Sequence, residues 1–400
     1  MTRRWITILG ATGSIGQSTL DVIALHPDAF GVWALTAHHN ISRLVRQSLL
    51  FRPRFVVVPD AVKEIEFMAT WRQNSGDTPP KVLLGDEGLS QVASHTSVEL
   101  VMAAIVGAAG LSSTLAAAKS GKTLLLANKE ALVMAGELLL SEVARSGATL
   151  LPVDSEHNAI HQCLVSAQHG QKPGFKRLIL TASGGPFLRT PSELWSNITV
   201  TEACSHPKWS MGRKISVDSA TMMNKALELI EACWLFGVEP SQIDVLVHPQ
   251  SIVHSMVSFV DGSVLAQMGC PDMRIPIAYV LGYPWRLESG ASALDLLTAG
   301  ALSFEALDAE RFPAVALAKE VFKLGRSASV VFNAANEVAV TSFLEGCLGF
   351  GDIVPLIQTV LSLTEFTPIT TIEEILRADT LARKQARSLI KIKQTNGDYP

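Results

Sequence analysis

Over roughly the first 150 residues, short runs of Val, Ile and Leu alternate with stretches of helical pattern. This alternation restricts the fold more than any other feature of the chain. Trp5 to Leu9, Val32 to Thr36, Phe55 to Val58, Val82 to Leu84, Leu100 to Val106, Thr123 to Ala127 and Thr149 to Val153 read as strands. Continuous apolar runs mean strands buried on both faces, and helices between such strands mean a parallel sheet. The expected class is α/β, with a Rossmann-like doubly wound sheet over residues 1–153.

From Asp154 the texture changes. Arg177 to Thr181, Asp244 to Val247, Val253 to Phe259 and Ser263 to Met268 read as strands, mixed with helices near Asn158 to Ala167 and Ala220 to Leu235. We read 154–283 as an α+β catalytic domain, 284–308 as a connector and 309–400 as a C-terminal helical domain ending in a helix from Ile372 to Lys391. Only 18% of the residues are charged and the net charge is −4, which excludes a disordered chain and gives no footprint for nucleic acid. The five cysteines, Cys163, Cys204, Cys233, Cys270 and Cys347, form no C-x-x-C pair and point to a reducing compartment. The longest apolar runs are too short to span a bilayer. The expected location is cytoplasmic.

Residues 10–16 read G-A-T-G-S-I-G, directly after a strand and before a helix. Glycines there let the backbone approach a pyrophosphate, and the helix N-terminus offers N–H groups and a positive dipole. The second strand leads into T-A-H-H-N, Thr36 to Asn40, with no carboxylate to bond ribose hydroxyls, and Arg43 follows. NADP is therefore favoured over NAD.

Asp154 and Glu156 stand at the exit of the seventh strand, where an extended segment projects residues i and i+2 to one side. Two such carboxylates suit a hard cation, Mg²⁺ or Mn²⁺, while Asp or Ser before a helix is also ordinary capping chemistry. Asn224, Lys225 and Glu228 have helical spacing and share one face. That face suits either a phosphate-and-metal site or a surface ion pair. His157 and His161 are also i, i+4 but lack the internal Glu of a zinc helix. Ala182 to Pro186 suits either a further anion site or a plain glycine turn, and the basic loop His206 to Lys214, with Trp209 and Gly212, either an anion-binding lid or a solvated loop.

Taken in order, these segments resemble the 1-deoxy-D-xylulose 5-phosphate reductoisomerase family. The blocks are G-A-T-G-S-I-G at 10, A-I-V-G-A-A-G-L at 104, L-A-N-K-E-A-L at 126, P-V-D-S-E-H-N-A-I at 152 and A-S-G-G-P-F at 182. They continue with H-P-K-W-S-M-G-R-K-I-S-V-D-S-A-T-M-M-N-K at 206, H-P-Q-S-I-V-H-S-M-V at 248 and N-A-A-N-E-V-A-V at 333.

The resemblance implies NADPH contacts from Thr12, Gly13, Ser14, Ile15, Asn40, Asn128, Glu130 and Gly212. It implies substrate contacts from Lys129, Ser155, Glu156, Ser183, His206, Ser219, Asn224, Lys225 and Glu228, and a divalent metal on Asp154, Glu156 and Glu228. Lys129, Glu156 and Glu228 become the expected catalytic residues. The implied reaction rearranges a five-carbon ketose phosphate and reduces it to 2-C-methyl-D-erythritol 4-phosphate in non-mevalonate isoprenoid synthesis, in a homodimer. His38-His39 stands where the family often has Gly-Lys. The competing readings are an NADP-dependent dehydrogenase of a phosphorylated aldehyde without isomerase activity, and a non-catalytic NADP sensor.

Overall fold

The computed structural model describes residues 3–166, 174–209 and 211–396. The predicted helix end at Ala167 and Ser210 of the predicted lid lie outside the described residues. The chain divides into two compact units. The first comprises 1–131, 139–158 and 272–292; the second comprises 132–138, 159–271 and 293–400.

The first unit is built on strands β1 (Arg4–Leu9), β2 (Phe30–Thr36), β3 (Phe55–Val58), β4 (Lys81–Leu84), β5 (Leu100–Ala103), β6 (Thr123–Leu126) and β7 (Thr149–Pro152). Helices α1 (Ser14–Leu25), α2 (Ile41–Phe51), α3 (Ala61–Asn74), α4 (Gly85–Ser94), α5 (Leu111–Lys119) and α6 (Lys129–Ser146) connect them, and α7 (Ser155–Ser166) follows β7. All seven strands run parallel in the order β4-β3-β2-β1-β5-β6-β7. The order reverses between β1 and β5, so the ligand crevice of such a sheet lies outside their carboxyl ends. Ile6, Ile8, Val56, Leu100, Met102 and Leu125 are buried together, as apolar runs covered on both faces must be. Each contributes about 1.5–3 kcal/mol by leaving water. β5 ends at Ala103, short of the predicted Val106, because the chain turns away at Gly107 with φ +77°.

The second unit contains β8 (Phe175–Ala182), α8 (Val200–Ala203), α9 (Arg213–Ala220), α10 (Met223–Phe236), β9 (Ile243–Val247), β10 (Val253–Phe259) and β11 (Val264–Met268). The chain next contributes α11 (Arg274–Gly282) to the first unit, where Ile277, Ala278 and Leu281 join the core with Ile23 and Val22. The sequence pattern places this segment in the middle domain instead. Its apolar run finds burial with α1, a choice that local pattern does not disclose.

The rest of the second unit is α12 (Leu296–Ala299), β12 (Glu305–Ala306), α13 (Ala314–Leu324), α14 (Ala328–Leu344), α15 (Ile353–Ser362) and α16 (Ile372–Asn396). Its sheet runs β11-β10-β8-β9-β12, with β8 and β9 parallel and the other pairs antiparallel. The two-residue β12 lies inside the predicted connector. The main core of this unit joins α10 to α13, α14, α15 and α16 through Leu227, Ile230, Val321, Phe332, Val340, Ile357 and Leu389. The helix predicted from Ala220 begins at Met223, after a separate α9 that ends at Ala220, because Met222 adopts the left-handed conformation at φ +62°.

Candidate active site

In the first unit the glycine turn sits at the reversal of strand order. Gly10 has φ +83°, and a Cβ there would lie 2.7 Å from the carbonyl oxygen of Ala104 at the exit of β5. A Cβ on Gly16 would meet the Cα of Ala11 at 2.5 Å, so this glycine lets α1 pack onto the end of β1. Gly13 precedes α1, and no side chain caps that helix. The first-turn N–H groups of α1 are thereby available to an anion.

The exit of β2 is tied to this turn. The Gly10 N–H donates to Thr36 Oγ1 at 2.8 Å, and Arg43 donates to the carbonyl of Thr12 at 3.1 Å. Asn40 caps α2 by accepting from the Arg43 N–H at 3.0 Å. His38 and His39 are exposed, with ring centroids 4.2 Å apart. Asn128 caps α6, accepting from Ala131 N–H at 3.2 Å while donating to Gly107 O at 3.2 Å, so it joins the β5 exit to the start of α6.

The start of α6 faces the start of α7. Lys129, only 8% exposed, places Nζ 2.5 Å from Asp154 Oδ2. The extended geometry expected for Asp154 to Glu156 is not what the chain adopts. The Asp154 carbonyl accepts from Asn158 N–H at 2.8 Å, and α7 already begins at Ser155. Starting the helix here satisfies that carbonyl and brings Glu156 into the first turn, where the dipole favours a carboxylate. Ser155 Oγ donates to Glu156 Oε2 at 2.5 Å. His157 is fully buried with Nδ1 3.9 Å from Asp154 Oδ2. Burial pushes His161 down to about 4.

In the second unit, β8 ends in Ser183-Gly184-Gly185. The two glycines have φ +85° and +66°, and a Cβ on Gly185 would lie 2.8 Å from the Ser219 carbonyl oxygen. The turn thus packs onto the last turn of α9. Ser183 Oγ lies 2.8 Å from His206 Nε2. His206 Nδ1 accepts the backbone N–H groups of Lys208 and Trp209 at 3.1 and 2.9 Å, so the neutral ring carries its proton on Nε2 and donates it to Ser183. Burial pushes His206 down to about 4, consistent with that tautomer. Ser183 also accepts Gly185 N–H at 3.2 Å, which leaves its own hydroxyl proton to point at a ligand.

Beyond Met222, Asn224 Nδ2 donates to Glu228 Oε1, and Lys225 Nζ pairs with Glu228 Oε2. The predicted shared face exists, and it is not a surface pair: Lys225 is 3% and Glu228 0% exposed. Removing Lys225 alone would leave a buried carboxylate short of a cation and cost about 3–5 kcal/mol.

Trp209 of the predicted lid rests half-buried with its ring 5.9 Å from His254, a buried imidazole pushed down to about 4 by desolvation. Gly212 has φ −62° and open space around its missing Cβ, so the fold itself does not require glycine there. Two side-chain groups escape a reading of the sequence alone. One is His254; its only signal is a histidine inside an apolar strand run. The other is buried Asp218, held by Lys214 at 2.8 Å and by Asn336, distant in sequence, at 3.0 Å. His248 in the same block as His254 is structural: its Nε2 accepts Ile252 and Val253 N–H, and its Nδ1 meets Ser303 O at 2.8 Å.

Family models of 1-deoxy-D-xylulose 5-phosphate reductoisomerase match residues 6–136, 150–236 (C-terminal domain of that enzyme) and 268–385 (a further C-terminal domain). The chain is 54% identical over 384 residues to the 1-deoxy-D-xylulose 5-phosphate reductoisomerase of Ectopseudomonas mendocina, covering 95% of this chain and 97% of that one. It is 52% identical over 383 residues to the enzyme of the same name from Pseudomonas aeruginosa strain PAO1, covering 95% and 96%. Among solved structures, a DOX-P reductoisomerase in complex with NADPH, fosmidomycin and magnesium superposes with a TM-score of 0.92 at 45% identity over 99% of this chain and all of that one. The Zymomonas mobilis 1-deoxy-D-xylulose 5-phosphate reductoisomerase in complex with NADPH gives 0.89 at 43% identity over 98% of this chain and 99% of that one. With its glycine turn, its buried carboxylates and these matches along nearly its whole length, the chain belongs to the 1-deoxy-D-xylulose 5-phosphate reductoisomerase family.

Proposed function

We propose that this chain rearranges 1-deoxy-D-xylulose 5-phosphate and reduces the product with NADPH to 2-C-methyl-D-erythritol 4-phosphate, with the help of a divalent ion. The observation that carries the reading is the buried Lys225–Asn224–Glu228 group on one helix face in a chain of this family. A carboxylate that deep, held by a lysine and an amide, is poised to exchange one cation for another.

Asp154, Glu156 and Glu228 are the proposed metal ligands. The donor set is all oxygen and anionic, which fits Mg²⁺ or Mn²⁺ and not a soft metal. When bound, the ion supplies Lewis-acid stabilisation of charge on the substrate's oxygens. Ser183, Ser219, Asn224 and Lys225 hold the substrate phosphate, which lies away from the reacting carbons and so contributes orientation. His206 keeps the Ser183 hydroxyl proton outward by occupying its acceptor side. Lys129, fixed by Asp154, and Glu156 are placed to move protons, and Ser155 steadies Glu156.

The cradle at Gly10, where any Cβ would strike a backbone carbonyl, fits the pyrophosphate of NADPH, which supplies the hydride. Thr12, Gly13, Ser14 and Ile15 line that turn; Asn40, Asn128, Glu130 and Gly212 complete the proposed cofactor contacts. Functionally we divide the chain into an NADPH-binding region (residues 1–153), a catalytic region (154–283), a connector (284–308) and a helical region (309–400). The enzyme works as a homodimer: β11 is an edge strand, with Val260, Val264 and Leu265 exposed beside it, and a second copy would cover it. Its five free cysteines support a cytoplasmic setting. No described helix is long and apolar enough to cross a membrane.

The test is NADPH oxidation with 1-deoxy-D-xylulose 5-phosphate, with and without Mn²⁺, and identification of the product. Metal-dependent formation of the branched polyol phosphate supports the reading. Reduction of a phosphorylated aldehyde alone, indifferent to metal, would return the chain to the simple dehydrogenases.

A further inference from the structure

At the opposite end of the first unit's sheet from the glycine turn, a cleft of about 350 Å³ opens beside the first residues of β3 and β4. Arg52, Arg54 and Lys81 line it, and Asp77 is the one carboxylate among its lining residues. All four side chains belong to exposed residues, and the Arg52–Asp77 separation of 3.9 Å is at the limit of an ion pair. The cleft therefore carries an excess of about two positive charges.

Two features indicate a shaped site. Arg52 follows α2 in the left-handed region, φ +48° and ψ +55°, a position that glycine occupies at no steric cost and arginine only under strain. Arg54 is held with its guanidinium 5.3 Å from the centroid of the Trp33 ring. A plainer account is that the cations only complement the C-terminus of α2. That dipole amounts to about half a negative charge, too little to call for two uncompensated cations, and it gives Lys81 on β4 nothing to do.

We propose that this cleft binds a small diphosphate-bearing anion. Two guanidinium forks match pairs of phosphate oxygens, the lysine adds a point charge, and a volume above about 300 Å³ admits a small molecule. Trp71, whose indole N–H is already given to Asp77 O at 2.9 Å, and Pro79 supply an apolar wall for the rest of the ligand. None of its lining residues is among the proposed substrate or cofactor contacts.

The experiment titrates inorganic pyrophosphate into NADPH-saturated protein without added divalent ion, by calorimetry. Wild type is compared with Arg52→Glu/Lys81→Glu and with Lys384→Glu/Arg387→Glu, which makes the same charge change on α16. The expected result is a binding component at least tenfold weaker in the first variant and intact in the second. Pyrophosphate held near Ser183 and Lys225 would persist in both. NADPH affinity and circular dichroism verify folding, and Arg52→Gln gives a milder variant with a smaller loss in the same direction. Equal binding in all three proteins, equal loss in both variants, no such component in wild type, or citrate binding as tightly as pyrophosphate would each overturn the proposal.

Discussion

The glycine turn of the first unit and the polar groups around α10 and β8 of the second are made from different materials. The first uses backbone: a glycine turn at the reversal of strand order, an uncapped helix N-terminus, and conformations that exclude a Cβ. The second uses side chains: buried Glu228 and Lys225 with half-buried Asn224, and half-buried Ser183 with His206. A backbone site tolerates most side-chain changes but not an added carbon at the turn. A side-chain site fails when one charge is removed, because its neighbours are left buried and uncompensated.

The sharpest way to break this contrast is Glu228→Gln. It keeps size and helix propensity and removes one charge. We expect turnover with Mn²⁺ to fall by about 10³-fold or more, about 4 kcal/mol of transition-state stabilisation, with NADPH affinity within about twofold of wild type. Steady-state kinetics and NADPH fluorescence titration measure both. A loss shared equally between the two would erase the distinction between the units.

Gly10→Ala is the matching change in the first unit. The new carbon meets the Ala104 carbonyl at 2.7 Å in a left-handed conformation. We expect NADPH affinity to fall about tenfold or more, since a cost of about 1–3 kcal/mol falls on the cradle itself. Manganese binding should be unchanged. A normal NADPH affinity would show that the turn can relax, and that the close approach is not needed.

Ser183→Ala removes a hydroxyl whose proton has no task within the Ser183–His206–Gly185 arrangement. A hydrogen bond to a charged group is worth about 1.5–3 kcal/mol, so the substrate KM should rise about 10- to 100-fold. NADPH affinity should not respond.

Acid sensitivity separates the units more gently. Burial holds His206 and His254 of the second unit near 4, against about 6.5 when unfolded. With folded values below unfolded ones, the unfolded chain binds more protons between those pH values, so stability declines as pH falls from about 6.5 toward 4. His254→Gln should flatten that section of a denaturant-midpoint profile, by up to about 3 kcal/mol across the window. A profile as steep as wild type would mean that His254 is not desolvated as the structure has it.

Much of this is legible in the chain itself, for physical reasons that differ by region. The strand from Phe55 to Val58 and the helix that follows the glycine turn read directly, because a continuous apolar run and a glycine-led helix start are local signals. The shared face of Asn224, Lys225 and Glu228 follows from helical spacing, but spacing says nothing of depth. Only the packing of α10 in the core turns an ordinary ion pair into a buried one. At Glu156 the sequence leaves a strand exit and a capped helix start both open, because Asp and Ser suit either, and the fold takes the helix from Ser155. The left-handed break at Met222 has no sequence mark, since neither glycine nor asparagine stands there. Asp218 with Asn336, 118 residues apart, lies beyond any local reading.

Asp154, Glu156 and Glu228 are proposed to serve as the ligands of one divalent ion. Titration of Mn²⁺ into wild type, Asp154→Asn and Glu228→Gln, followed by the loss of the free-ion electron paramagnetic resonance signal, tests this without reference to turnover. One ion per chain is expected in wild type, with at least tenfold weaker binding in either variant, although their carboxylates are carried by different segments of the chain. Wild-type Mn²⁺ affinity in Glu228→Gln, with loss only in Asp154→Asn, would contradict it.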